Sequence, residues 1–336
     1  MIATTGAQAY GPASSWSYCV LSTPDRSAIG GYVGVMDIAI FGGVSGRSGL
    51  AGTIADVKAV ADAGFASYWL PQLVQNTEAM NIIGAVAQHV PNFRFGTSVV
   101  PTYPRHPMVM AEQAMTTSMV TGGQFTLGIG LSHQPVVEGM WGMSFDKPLR
   151  HAREYLDVLM PLLGGESVSY VGETVTARGK LDIDAVEPPV LLAALGPQML
   201  RLAGARCAGT ITWMTGASTL ASLTVPTIGE AAEAAGRPTP EIVAGFPIWV
   251  TDDADAARAN AAKTFMIYGQ LPSYRAMLDH EGLAGPEDLA IIGDEATCAG
   301  RMDELVASGV TLFAASEFAD NAEDRARTRA FLASRL

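Results

Sequence analysis

Lysine is scarce in this sequence: four occur among 336 residues, at positions 58, 147, 180 and 263. Charge of either sign is thin. Asp, Glu, Lys and Arg make up 16% of the chain, against roughly 25% in an ordinary globular protein. What charge there is leans acidic, with 33 carboxylates against 21 basic groups and a formal net charge of −12. That balance disfavours nucleic acid and acidic membrane surfaces as partners. Cysteine occurs three times, at Cys19, Cys207 and Cys298, an odd and widely spaced set. It suits neither a disulfide scaffold nor a cysteine zinc site, and the expected location is the reducing cytoplasm. Hydrophobic residues are plentiful at 49%, yet no apolar run reaches the ~18 residues of a membrane span. The histidines, His89, His106, His133, His151 and His280, form no HxH pair, so no metal site is expected. No lysine falls at an expected strand end, which disfavours Schiff-base chemistry, and no GxSxG is present.

What is there alternates. Residues 1–35, rich in Gly, Ser, Ala and Tyr, carry no sustained apolar period and are read as a flexible extension. Residues 36–336 are read as one barrel domain. Strand-like runs are expected at 36–41, 66–70, 93–100, 125–129, 190–194, 210–213, 242–250 and 311–315. Helical patterns lie between them, as at Ile54, Val57, Val60 and Ala61, stopped by Gly64. A helix near 149–163 places Tyr155, Leu156, Leu159, Leu162 and Leu163 on one side, with Pro161 bending its end. Two insertions interrupt the alternation, a hairpin over 168–180 and a mostly helical segment over 253–281. Helices near 286–291 and 295–308 precede the last strand. Eight strands alternating with helices favour an α/β fold, a (β/α)₈ TIM barrel with insertions, over a doubly wound open sheet.

In such a barrel the chemistry sits at the C-terminal ends of the strands. After the third strand, Pro101, Pro104 and Pro107 stiffen a loop whose His106 is expected to stabilise the loop itself. After the fourth, Gly128-Ile129-Gly130 precedes Ser132-His133-Gln134. The glycines permit a flat ligand to approach closely, and they equally mark a tight turn. After the fifth, Gly196-Pro197-Gln198-Met199 opens a helix whose first amides can face an anion, or simply start the helix. A pocket of backbone and small polar groups suits a cofactor that brings its own chemistry.

These stretches, with Gly96-Thr97-Ser98-Val99-Val100-Pro101, Gly123–Gly130, Ala208–Trp213 and Tyr268–Tyr274, resemble the bacterial-luciferase-like superfamily. Within it they resemble the actinobacterial oxidoreductases that use the deazaflavin coenzyme F420. The resemblance runs from Met36 to near the C-terminus and implies a barrel that forms a homodimer or larger assembly. It implies a cis peptide at Ser98–Val99 beneath the deazaflavin ring, with Gly130 and Ser132 beside the cofactor. It also implies that Gly196, Pro197, Gln198 and Met199 hold the cofactor phosphate, completed by Thr215 and Gly216. The resemblance has gaps. Trp69-Leu70-Pro71-Gln72 stands where many members carry Asp-His after the second strand. Leu131-Ser132-His133 stands where many carry Glu. The acid/base pair and substrate of the sugar-phosphate dehydrogenases therefore do not transfer.

His133 is the candidate proton donor, its alternative role being a hydrogen bond to cofactor or loop. Trp69, Gln72 and Tyr268 are candidate walls of a small-molecule substrate pocket, with packing the alternative for Trp69. Tyr268 and Tyr274 stand on an insertion that covers the pocket or packs a subunit. The expected function is F420-dependent hydride transfer. The rivals are an FMN-dependent monooxygenase of the same fold and a non-catalytic cofactor-binding protein.

Overall fold

The computed structural model describes residues 36–42 and 49–336. The extension read over residues 1–35 lies outside the described residues. The strands are β1 (Asp37–Phe41), β2 (Ser67–Leu70), β3 (Arg94–Thr97) and its continuation β4 (Val100–Pro101), and β5 (Phe125–Gly130). They continue with β6 (Val168–Val171), β7 (Thr176–Gly179), β8 (Val190–Ala193), β9 (Gly209–Trp213), β10 (Glu241–Val250), β11 (Ile291–Gly293) and β12 (Leu312–Glu317). Eight of these form a parallel barrel in the order β1, β2, β3, β5, β8, β9, β10, β12, closed by β12 on β1. Parallel strands covered on both faces read as nearly continuous apolar runs. Every residue of β5, Phe-Thr-Leu-Gly-Ile-Gly, is accordingly buried.

Two apolar layers result. The larger lies between the strands and the surrounding helices, where Tyr155, Leu156, Leu159, Leu162 and Leu163 of the helix Pro148–Leu163 are buried. The smaller fills the barrel interior, with Ala39, Trp69, Leu191, Ile211 and Val243 at its centre and Phe41 and Val99 partly buried against it. The Trp69 indole takes the volume a side chain at Gly96 would need, since a Cβ there would stand 2.4 Å from the ring. Gly64 ends the first helix at φ +90°, a conformation that glycine adopts without a Cβ penalty.

Both insertions are present. β6 and β7 pair antiparallel as the hairpin expected over 168–180, with a four-residue turn between Val171 and Thr176. The Glu154 carboxylate holds that turn, accepting the backbone N–H groups of Glu173, Thr174 and Val175. The second insertion is three helices, Ala254–Thr264, Met266–Gln270 and Pro272–Glu281. The helix expected near 286–291 is instead a 3₁₀ turn, Pro286–Asp288, followed by β11. The reason lies in β10, ten residues long, whose end outruns the barrel and offers a free edge to the β-branched pair Ile291-Ile292.

Candidate active site at the barrel mouth

The C-terminal ends of the strands bring most of the candidate residues to one opening. The peptide between Ser98 and Val99 is cis. Val99 lies against Gly130, where a Cβ would stand 2.6 Å from the Val99 side chain and 3.2 Å from Ala193. Bare backbone at Gly130 thus lets the ends of the β3–β4 segment and β8 close around β5. Ser132 then turns the chain out of the strand at φ +62°, and His133 starts the short helix Gln134–Gly139. The His133 ring caps no amide of that helix. It sits edge-on to Tyr274 at 5.8 Å, and burial lowers its pKa below the usual histidine value.

The second insertion reaches over the mouth. Tyr274 meets Tyr268 at 4.9 Å, Tyr268 meets Trp213 at 6.1 Å, and Trp213 stacks on Phe41 at 5.0 Å. A continuous row of rings therefore runs from the end of β1, over the end of β9, to His133 at the end of β5. Burial raises the pKa of both tyrosines, so their hydroxyls keep their protons. His133 is the titratable imidazole in this row.

The part of the mouth after β8 and β9 is built from backbone. Gly196 caps the helix Pro197–Arg206 with no side-chain partner for the first amides, and Gly196, Pro197 and Gln198 are exposed. Beside it, after β9, Thr215 and Gly216 are buried and lead into a helical segment spanning 217–234 that includes a π turn at Leu220–Thr224. The Glu281 carboxylate lies on its first turn and accepts the Thr219 N–H at 2.5 Å. Gly216 makes room for it, since a Cβ there would meet the carboxylate at 2.2–2.6 Å. The Thr219 hydroxyl is buried without a hydrogen-bond partner. An anion already rests on this amide and a polar group there is unsatisfied, so the residues fit an anionic group such as a cofactor phosphate.

Other candidates stand elsewhere. Trp69 is 1% exposed inside the barrel, its indole N–H donating to Ser67 Oγ at 2.9 Å, and it presents no open surface. Gln72 is half-buried and its side-chain oxygen accepts the Ala79 N–H at 2.7 Å, tying down the loop after β2. His106 stabilises its loop as expected. Its Nδ1 accepts the Met108 N–H at 3.3 Å and its Nε2 donates to the Thr176 carbonyl at 3.0 Å. Burial pushes the Cys207 and Cys298 thiols up to about 12, which keeps both protonated. Among the described residues no group of three His, Cys, Asp or Glu could hold a metal ion, and no helix is long and apolar enough to cross a membrane.

Sequence reasoning passed over three features. Glu281 carries no motif, being one acid on an amphipathic helix. Arg153 and Arg201 read as solvated helix faces. The third is a buried stack beside the mouth, where Tyr103 lies on His151 at 4.1 Å and His151 Nε2 is 3.0 Å from Thr102 Oγ1. Burial lowers the His151 pKa to about 4.

Residues 34–312 match the model of the luciferase-like monooxygenase family, and the chain belongs to that family. It is 25% identical over 296 residues to 5,10-methylenetetrahydromethanopterin reductase of Methanolobus tindarius, covering 79% of this chain and 90% of that protein. It is 32% identical over 168 residues to the putative coenzyme F420-dependent oxidoreductase Rv3520c of Mycobacterium tuberculosis, covering 46% of this chain and 48% of that one. Among solved structures, the oxygenating constituent of 3,6-diketocamphane monooxygenase of Pseudomonas putida, in complex with FMN, shares the fold. Its TM-score is 0.72 at 16% identity, over 90% of this chain and 97% of that one.

Proposed function

We propose that this luciferase-like chain is an oxidoreductase whose barrel mouth binds coenzyme F420 and exchanges a hydride with a small organic substrate. The observation that carries the reading is the meeting of two kinds of surface at the mouth. One offers amides at two neighbouring helix starts, with Glu281 already resting on one of them. The other is an uncharged row of rings that ends at a single imidazole. The name of the Mycobacterium tuberculosis relative supports the deazaflavin, and the FMN complex of the Pseudomonas putida structure supports the rival flavin.

When bound, a deazaflavin supplies a two-electron hydride carrier with carbon in place of the flavin N5. The chain's residues do the rest. The amides of Gln198 and Met199 would hold the anionic end of the cofactor, and the Thr219 amide would join them where that anion displaces Glu281. Val99 and Gly130 would form the floor beneath a flat ring. Tyr268 and Tyr274 exclude water, and His133 holds or delivers the proton that accompanies the hydride. His133 acts as an acid only when charged, and burial makes that form less populated at neutral pH.

Parallel fluorescence titrations with F420 and FMN test the reading. Binding of F420 is expected. Tight binding of FMN alone transfers the proposal to the monooxygenase reading. Binding without turnover of any acceptor, in both the wild type and His133→Asn, supports a carrier.

A further inference from the structure

We infer that the cleft between the helices Pro148–Leu163 and Pro197–Arg206 is a subsite for a chain of carboxylates extending from the ligand in the mouth, an inference that rests on the function proposed above. The cleft is a cavity of about 310 Å³ lined by Leu149, Arg153, Gln198, Arg201 and Leu202. It begins where the amide wall ends, because Gln198 belongs both to the exposed start of its helix and to the cleft lining.

The arginines are what distinguish it. Of the fifteen arginines among the described residues, ten form ion pairs with Asp or Glu. Arg153 and Arg201 are two of the five that do not, and both line this one cavity. In a chain with twelve more acids than bases, leaving two guanidiniums together without a carboxylate runs against the average. The nearest acids on the same helix are engaged elsewhere. Glu154 is turned into the β6–β7 turn, and Asp157 pairs with Arg206 at 2.8 Å. Two like charges facing one cavity repel until an anion sits between them, and the planar guanidinium fork matches carboxylate and phosphate oxygens in pairs. Leu149 and Leu202 supply an apolar floor for the methylenes of such a chain.

The chemistry separates the two cofactors. Coenzyme F420 continues beyond its phosphate into γ-linked glutamates, whereas FMN ends at its phosphate. A carboxylate chain leaving the phosphate at Gln198 would pass between Arg153 and Arg201, so the cleft favours the first cofactor over the second. An anionic substrate could also supply such oxygens, and the experiment separates the two sources.

Dissociation constants are measured by fluorescence for wild type and the double variant Arg153→Ala/Arg201→Ala. The probes are F420 with several glutamates and its tail-free form, which keeps the phosphate. Wild type is expected to prefer the tailed form by roughly tenfold or more, and this preference should shrink with added salt. The double variant should lose the preference while its affinity for the tail-free form stays. Equal wild-type affinities for both forms, or equal weakening of both by the variant, overturn the subsite. Should neither form bind, the cofactor reading falls, and the cleft is judged by inorganic tripolyphosphate. A thermal shift in wild type that the double variant lacks then assigns the cleft to an anionic substrate and overturns the tail subsite. No shift in either protein overturns the cleft as an anion site.

Discussion

The hydroxyl of Thr97 serves both backbone groups of Gly128, accepting its N–H at 2.9 Å and donating to its carbonyl at 2.9 Å. The bond pair fills a gap in the sheet. β3 meets β5 at Phe95–Phe125 and Gly96–Thr126, and the ladder resumes only with Val100–Ile129 and Pro101–Gly130 of β4. Gly128 must lack a side chain for this, because a Cβ would stand 1.9 Å from the Thr97 carbonyl oxygen.

Thr97→Val keeps the shape and removes both bonds, leaving two buried backbone groups without their partner. The expected cost is about 2–4 kcal/mol, with Thr97→Ser recovering most of it. Urea unfolding midpoints at constant m-value measure this. A valine variant as stable as wild type would show that the gap is closed by other means.

His133 carries a prediction about pH. Burial lowers its pKa, so its charged form is filled only below the usual 6.5. If it delivers the proton during substrate reduction, turnover rises as pH falls through that lowered pKa, and the rise disappears in His133→Asn. An unchanged profile in the variant removes His133 from the proton path.

His151 predicts a pH dependence of stability. Its folded pKa of about 4 lies below the unfolded 6.5, so between these values the unfolded chain binds the extra proton. Stability is therefore flat above pH 6.5 on this account and falls as pH drops toward 4. The loss from this residue between pH 7.5 and 5 is about 2 kcal/mol. Denaturation of wild type and His151→Gln at the two pH values isolates it. The same slope in both proteins would place the titration elsewhere.

Glu281→Gln keeps a hydrogen-bond acceptor for Thr219 and removes the charge that competes with an incoming anion. Affinity for the cofactor is expected to rise severalfold, and inorganic phosphate should become a better competitor. Unchanged affinity would mean that the anionic group binds away from Gly216 and Thr219.

The barrel was legible because parallel strands buried on both faces are written as short apolar runs, and Gly64 marks its helix end in plain view. His106 was legible too, since a polar side chain just before Pro107 has amides to cap. Contacts made only by the closed fold were not. Glu281 and Thr219 are 62 residues apart, and nothing local distinguishes that acid from Asp279 on the same helix. Trp69 shows the opposite difficulty. An aromatic residue at a strand end suits a pocket wall and a barrel core equally, and the neighbouring bare backbone of Gly96 draws the indole inward. The β11 strand was hidden because its pairing edge exists only once β10 outgrows the barrel.

That overlong β10 has a consequence for traffic through the mouth. The segment that carries the second insertion departs just beyond Val250 and returns at Ile291, and these two places are stitched side by side, with Val250 beside Gly293 and Ile248 beside Ile291. The ring-bearing cover is thus a closed handle whose two feet share one seam, so any opening of it hinges there. Its far side meets the barrel where Tyr274 packs on His133 and Glu281 accepts the Thr219 N–H, and a movement about the seam would part both contacts together.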